Sequence, residues 1–247
     1  MLKFILTACF IGLFLIFSIP LLLLEWILGK TNQEWKDKSS LAIVNWAFRV
    51  CLFLSGVKLT VLGEENIPKD EAVLYVGNHR SYFDVLLTYV RVPRPCGYVA
   101  KKEMLRYPLL SHWMKNLHCQ FLDRDNLKEG VKTILSSVET VKSGISICIF
   151  PEGTRNKVND TFLPFHQGSF KIAEKSGCAI IPISINNAAA IFEDHFPKIK
   201  KAHVVIEYGK PIRMTTMEKE EKKVIADLTL QEIKTMYEKN KALVTFY

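Results

Sequence analysis

The residues with the clearest potential for chemistry are His79 and Asp84, the two ends of the motif HRSYFD. A histidine that is oriented by a carboxylate can remove a proton from a hydroxyl group near neutral pH. Residues spaced by five lie about 140° apart around a helix and on opposite faces of a strand. The two side chains can therefore meet only where the chain changes from one secondary structure to another.

The surrounding sequence predicts such a change, because residues 72–77 are typical of a strand and residues 82–90 of a helix. His79 would then stand at the carboxyl end of a strand, where open α/β sheets usually bind ligands. Asp84 has a competing interpretation, since Ser81 and Asp84 fit a capping box that binds the first N–H groups of a helix. We expect that one carboxylate cannot serve both roles fully. The residues alone leave both roles open.

The motif FPEGTR is a second candidate site, and it follows the apolar residues 145–150, which predict a strand. Its turn holds Glu152 and Arg155 on either side of Gly153 and Thr154. A guanidinium can bind a phosphate through two N–H groups. We therefore expect Arg155 to bind a phosphate and Glu152 to orient it. The alternative is a surface turn with a salt bridge that contributes little to stability.

Two further basic residues follow predicted strands and are weaker candidates. Arg124 comes after residues 119–122 and would supply a second phosphate contact, although the residues that follow it, Asp125 or Asn126, are equally suited to cap the next helix. Lys101 comes after residues 97–100 in the same way. The apolar segment IPI near residue 182 is expected to form a wall close to the site.

The elements that must position these residues alternate between short apolar runs and helical patterns. The predicted strands are residues 58–62, 72–77, 97–100, 119–122, 145–150, 179–185 and 203–208. The predicted helices are residues 82–90, 108–116, 127–142, 170–175 and 217–240. Such alternation predicts an α/β fold with a mixed, mostly parallel sheet flanked by helices.

The N-terminus differs from the rest of the chain. Residues 4–24 carry no charge, and about 20 apolar residues suffice to cross a bilayer as a helix. Pro20 should kink or end this helix. Residues 41–59 are also apolar but include Arg49, which makes a lipid-exposed crossing costly. We expect two helices that enter one leaflet or lie at its surface, with Arg49 facing protein or head groups; a single full span is the alternative.

The composition excludes some classes of protein and leaves others open. The chain has 247 residues, of which 49% are hydrophobic, so it can bury a core and is not intrinsically disordered. Its net charge of +8 suits an anionic partner, which composition alone does not distinguish among nucleic acid, a phosphorylated substrate and anionic lipid. The six cysteines form no CxxC pair, which favours buried, reduced thiols over a zinc site or a disulfide scaffold.

Four motifs, NHRSYFD, FLDRDN, FPEGTRN and IPISI, occur in this order. Together they resemble the glycerolipid acyltransferases typified by 1-acyl-glycerol-3-phosphate acyltransferase. The resemblance covers roughly residues 57–213. It extends to the stretch after FPEGTR, except that the family often has basic residues where His166 and Gln167 stand.

The resemblance implies an O-acyltransferase that moves a fatty acyl group from acyl-CoA or acyl carrier protein to the sn-2 hydroxyl of 1-acyl-glycerol-3-phosphate, giving phosphatidic acid. His79 would be the general base and Asp84 its orienting carboxylate. The acceptor would be bound by residues of the other motifs: Glu152, Gly153, Thr154, Arg155, Lys101 and Arg124. No cofactor, metal or nucleic acid is implied.

The same resemblance predicts two domains, a membrane-associated helical segment at residues 1–56 and a catalytic domain at residues 57–247. Because the thioester donors are cytoplasmic, the catalytic domain is expected on the cytoplasmic side of the cell membrane. Relatives that acylate another lysolipid or glycerol-3-phosphate leave the acceptor open. A non-catalytic lipid-binding protein and a transacylase are further alternatives, whereas a serine hydrolase is disfavoured because no GxSxG motif is present.

Overall fold

The computed structural model describes residues 1–245 and contains one seven-stranded sheet. The strands are β1 Lys58–Leu62, β2 Leu74–Gly77, β3 Cys96–Lys101, β4 Gln120–Leu122, β5 Ser146–Ile149, β6 Ile180–Asn186 and β7 His203–Tyr208. Their spatial order is β1-β7-β6-β2-β5-β3-β4, and every neighbouring pair is parallel except β6 and β7. The predicted α/β fold with a mixed, mostly parallel sheet is therefore confirmed.

Helices cover both faces of this sheet. The helices are α1 Leu2–Phe17, α2 Ile19–Thr31, α3 Gln33–Ser55, α4 Phe83–Tyr89, α5 Pro108–Asn116, α6 Leu127–Lys142, α7 Lys171–Ser176, α8 Lys219–Lys223 and α9 Ile225–Lys241. Successive side chains of a strand point to opposite faces, so Tyr75 packs on one side of β2 and its neighbours Leu74 and Val76 on the other. Helices α3, α4 and α5 cover the first face, and α6, α7 and α9 cover the second.

The predicted C-terminal helix over residues 217–240 is two helices instead of one. The charged α8 stays exposed, and the chain breaks at Val224 before α9 turns its apolar face onto the sheet. Ile225 and Ile233 of α9 are fully buried. The break arises because the charged and the apolar parts of this segment need different environments.

The apolar N-terminus is also divided, as Pro20 predicts. Helices α1 and α2 meet at Ser18 with a bend of 49°, and Pro20 occupies the first turn of α2, where its missing N–H is tolerated. No single helix within residues 1–245 is both long and apolar enough to span a bilayer, whereas α1 and α2 pass that test together as a bent pair. By length and composition, this pair is suited to membrane association.

Helix α3 joins the N-terminal helices to the sheet. Val44 and Cys51 on one side of α3 are buried, whereas Trp46 and Phe53 remain exposed. Arg49 was expected to face either protein or lipid head groups, and it faces protein. Its Nη2 donates to the carbonyl of Val90 at 3.1 Å. The cysteines form no disulfide among the described residues. Cys148 and Cys178 are buried as the predicted core thiols, whereas Cys9 on α1 is exposed.

Candidate active site

His79 and Asp84 are in direct contact at the carboxyl end of β2. The Nδ1 atom of His79 lies 2.8 Å from Oδ2 of Asp84, and the Asp84 side chain is buried while that of His79 is 18% exposed. The chain leaves β2 after Gly77 and enters α4 at Phe83, which is the change of structure that the five-residue spacing requires. The predicted pairing is confirmed as a geometric fact.

Asp84 holds both the histidine and the turn before α4, but it does not cap the helix itself, whose N-cap residue is Tyr82 without a side-chain cap. The same Oδ2 atom accepts hydrogen bonds from the backbone N–H groups of Arg80 and Ser81, each at 2.8 Å. The tight turn aims these two N–H groups and the imidazole at one oxygen. The other oxygen, Oδ1, is buried without a hydrogen-bond partner among the described residues. One carboxylate oxygen thus holds both the turn and the histidine.

The geometry also selects the tautomer of His79. A carboxylate is an acceptor, so Nδ1 carries the proton and Nε2 keeps its lone pair. The imidazole stacks on the ring of Phe150, with centroids 4.3 Å apart and an interplanar angle of 11°. Phe150 immediately follows β5, the strand beside β2. The ring plane of His79 is therefore fixed, with a basic nitrogen left over for chemistry.

Glu152 holds the turn that carries His79. Its Oε1 accepts the backbone N–H of His79 at 2.8 Å, and its Oε2 accepts that of Leu163 at 3.1 Å. The side chain is buried, and burial raises the pKa of its carboxyl above the usual range, against the opposing effect of these two hydrogen bonds. Both oxygens are occupied by backbone donors, so Glu152 supports the His79 turn and has no direct bond to Arg155 among the described residues.

Arg155 lies at the rim of the site and keeps free donors. Its Nη1 donates to Oε1 of Glu193 at 3.1 Å, and its guanidinium lies 3.6 Å from the centroid of the Tyr82 ring. The side chain is 32% exposed. Gly153 has a positive φ of 70°, which a glycine adopts without strain, and so closes the turn that presents the exposed Thr154 and Arg155.

The two weaker candidates stand farther along the same sheet edge. Lys101 ends β3 and Arg124 follows β4, which are the second and third strands from β2. At about 4.8 Å per strand, these positions lie roughly 10 and 14 Å from the His79 strand. Both side chains are exposed, and neither forms a hydrogen bond with the residues around His79. Asn126 caps α6 through the N–H groups of Lys128 and Glu129, as its alternative interpretation predicts.

Three functional contacts were missed at the sequence level. Glu193 contacts both motifs, and Phe150 provides the stacking surface for His79. Asn156 donates its backbone N–H to the carbonyl of His79 at 2.8 Å. Phe150 and Asn156 flank the motif PEGTR, so their positions were available as a signal, whereas nothing in the local sequence marks Glu193. Within residues 1–245, no three His, Cys, Asp or Glu side chains are grouped to hold a metal ion.

The chain is similar in sequence to known acyltransferases. The sequence model described as "Acyltransferase" matches residues 58–186, just over half of the chain. A 1-acyl-sn-glycerol-3-phosphate acyltransferase of Borreliella burgdorferi is 33% identical over 153 residues, covering 62% of this chain and 61% of that protein. The enzyme of the same name from Saccharomyces cerevisiae is 28% identical over 175 residues, which cover 70% of this chain and 57% of that protein. The chain thus aligns with less than two thirds of the length of these relatives.

A solved structure shares the fold over nearly the whole chain. The crystal structure of the 1-acyl-sn-glycerophosphate acyltransferase of Thermotoga maritima superposes with a TM-score of 0.84, covers 98% of this chain and 95% of that one, and is 24% identical in sequence. At this identity the likeness concerns the fold. The family match includes both the His79–Asp84 pair and the PEGTR turn, and on that match the chain belongs to the acyltransferase family.

Proposed function

We propose that the protein transfers a fatty acyl group from an acyl thioester to the sn-2 hydroxyl of 1-acyl-glycerol-3-phosphate. The observation that carries the proposal is the His79–Asp84 contact at 2.8 Å, which leaves Nε2 of His79 as a base at the carboxyl edge of the sheet. Membership of the acyltransferase family and the names of the relatives support acyl transfer to this acceptor.

The reaction needs a base and an activated acyl group. Nε2 of His79 accepts the proton of the acceptor hydroxyl while the hydroxyl oxygen attacks the carbonyl carbon of the thioester. Asp84 stabilises the imidazolium that forms, as the aspartate does in a serine-hydrolase triad. The C–S bond then breaks, and the imidazolium returns the proton to the thiolate that leaves. A thioester is already activated, so a covalent enzyme intermediate is unnecessary.

The acceptor phosphate is bound by Arg155 in this proposal. Its guanidinium has donors left after its bond to Glu193, and it stands beside the turn that carries His79. Gly153 and Thr154 shape the same turn. Lys101 and Arg124, with the net charge of +8, attract the anionic substrates from a greater distance.

The acceptor is a membrane lipid, so the proposal places the protein at the cell membrane. The bent pair α1–α2 contacts the bilayer, and the domain that begins after residue 56 lies on the cytoplasmic side, where acyl-CoA and acyl carrier protein are found. The free thiols agree with a reducing compartment.

The test uses the full-length protein in detergent micelles and measures thiol release from acyl-CoA and from acyl-loaded carrier protein. The acceptors are 1-acyl-glycerol-3-phosphate, glycerol-3-phosphate and a panel of other lysolipids. We expect the highest kcat/KM with 1-acyl-glycerol-3-phosphate and loss of its acylation in His79→Ala. A higher kcat/KM for another acceptor would change the substrate assignment. Thiol release that His79→Ala leaves unchanged would refute the mechanism.

A further inference from the structure

We propose that Glu193 is a positioning residue that orients Arg155 toward the acceptor phosphate and joins the His79 turn to the Arg155 turn. The inference rests on the proposed function, since it assigns Arg155 a phosphate ligand. Glu193 belongs to neither of the two motifs, and it lies on a short 3-10 helix, Glu193–His195, after the end of β6.

The carboxylate of Glu193 binds groups from both motifs. Its Oε2 accepts the hydroxyl of Ser81 at 2.6 Å. Its Oε1 accepts the backbone N–H of Tyr82 at 2.7 Å and Nη1 of Arg155 at 3.1 Å. Strand β6, which leads to Glu193, pairs directly with β2, which leads to His79. Both oxygens are therefore committed, and the carboxylate is held in one orientation.

This arrangement fixes Arg155 without using up its donors. The Tyr82 ring covers one face of the guanidinium at 3.6 Å, and Glu193 takes one N–H group. A guanidinium has five N–H donors, so four remain for a ligand. Two contacts in different directions set both the plane and the rotation of the group. A phosphate that arrives beside His79 thus meets a cation that is already oriented, which reduces the entropy lost on binding.

Glu193 has an alternative role as a purely structural support for its loop. The two roles differ in how Glu193 affects the substrates. A structural support affects the fold and both substrates alike, whether or not Arg155 is present. A positioning residue acts on acceptor binding through Arg155, so removing Arg155 first should abolish the effect of removing Glu193 on the KM for 1-acyl-glycerol-3-phosphate.

The experiment is a double-mutant cycle with the variants Glu193→Ala, Arg155→Ala and the double variant. We expect Glu193→Ala to raise the KM for 1-acyl-glycerol-3-phosphate by about tenfold, the size of one charged hydrogen bond, and to change the KM for acyl-CoA less than about twofold. In the Arg155→Ala background the same change should add less than about twofold. Glu193→Gln, which keeps an acceptor oxygen for Tyr82 and Arg155, should restore part of the affinity.

The matched control is Asp194→Ala, which removes the adjacent carboxylate on the same 3-10 helix. Asp194 is exposed and lies 3.8 Å from Arg80, away from Arg155, so the KM values should stay near those of the wild type. Thermal unfolding of each variant reports the fold. Effects of Glu193→Ala that are equal for both substrates, or that persist fully in the Arg155→Ala background, would overturn the inference.

Failure of this inference is distinguishable from failure of the proposed function. A wild-type protein that acylates 1-acyl-glycerol-3-phosphate, together with additive effects at Glu193 and Arg155, overturns only the positioning role. A wild-type protein that transfers no acyl group to any phosphate-bearing acceptor overturns both. Monoacylglycerol, which lacks the phosphate, is a further probe, because the KM of any slow acylation of it should be insensitive to Glu193→Ala.

Discussion

The ring of Phe4 stacks on the ring of Phe192, with centroids 5.7 Å apart and an interplanar angle of 7°. Phe4 belongs to α1, and Phe192 immediately precedes Glu193, whose carboxylate binds Arg155. The first turn of the N-terminal helix therefore contacts the segment that reaches the candidate active site. This contact joins the part of the chain suited to the membrane to the part suited to chemistry.

The stack leads to a prediction for Phe4→Ala. Loss of an aromatic pair costs about 0.5–1.5 kcal/mol of stability beyond buried area, and it loosens the segment that carries Glu193. We therefore expect kcat/KM for 1-acyl-glycerol-3-phosphate to fall, by at most about tenfold if all of that energy is lost from the transition state. The matched control is Phe10→Ala on the same helix, since Phe10 packs with Phe14 and Trp46 and not with Phe192. Steady-state kinetics in micelles measure kcat/KM for both variants. Equal losses of kcat/KM in Phe4→Ala and Phe10→Ala would show that the Phe4–Phe192 stack does not act on the active site.

The shared oxygen of Asp84 predicts a difference between two variants of the same pair. His79→Ala should lower turnover about 10²–10⁴-fold and lower the melting temperature less than removal of the Asp84 carboxylate does. Asp84→Ala should lower turnover and also the melting temperature, because it removes the oxygen that binds two backbone N–H groups as well as the imidazole. His112→Ala, at an exposed histidine of α5, is the control. Equal melting temperatures for both variants would contradict the dual role.

The His79–Asp84 pair could be predicted because its information is local. The strand before His79 and the helix at Asp84 both appear in the hydrophobic pattern, and only their junction lets a spacing of five residues close. The contact of Ser81 with Glu193 joins residues 112 apart in the chain, and it depends on β6 lying beside β2. Local patterns do not encode strand order, so this contact became visible only in the structure.

The position of the Glu152 side chain also depends on more than its local sequence. Its neighbours in the motif suggested an interaction with Arg155, three residues away. The turn at Gly153 separates the two side chains, so that Glu152 points inward to backbone donors while Arg155 remains at the surface. Pattern reasoning identified the motif correctly but did not show which of its side chains is buried.

The inward position of Glu152 predicts the result of Glu152→Gln. A glutamine amide offers one acceptor oxygen, so one of the two N–H groups, that of His79 or of Leu163, would face an NH₂ group. An unsatisfied buried donor costs about 1–3 kcal/mol, which should appear as a lower melting temperature and a lower kcat. The KM for 1-acyl-glycerol-3-phosphate should change little. A large rise in that KM with kcat intact would instead place Glu152 in contact with the acceptor.

A buried histidine outside the site predicts a dependence of stability on pH. His203 is the first residue of β7, and its Nδ1 accepts the backbone N–H of Thr245 at 3.0 Å. Nε2 therefore carries the proton, and it lies 2.8 Å from the hydroxyl oxygen of Thr60. Burial, with a smaller contribution from the charge of Lys58, lowers the pKa of His203 below its usual value. The folded protein thus favours the neutral imidazole.

A lowered histidine pKa stabilises the fold above the pKa of the unfolded chain, and this contribution is lost as the pH falls through the folded-state value. The free energy of unfolding should therefore fall on acidification from about pH 7.5 to about pH 5.5, where most carboxylates stay ionised. Unfolding in detergent micelles at both pH values, for the wild type and for His203→Gln, measures the effect. The glutamine amide keeps an acceptor for the N–H of Thr245 and a donor for the hydroxyl of Thr60, but it does not titrate. The stability of this variant should therefore change less with pH. His112→Gln, at an exposed position, should behave like the wild type. The same pH dependence in His203→Gln as in the wild type would remove His203 as its source.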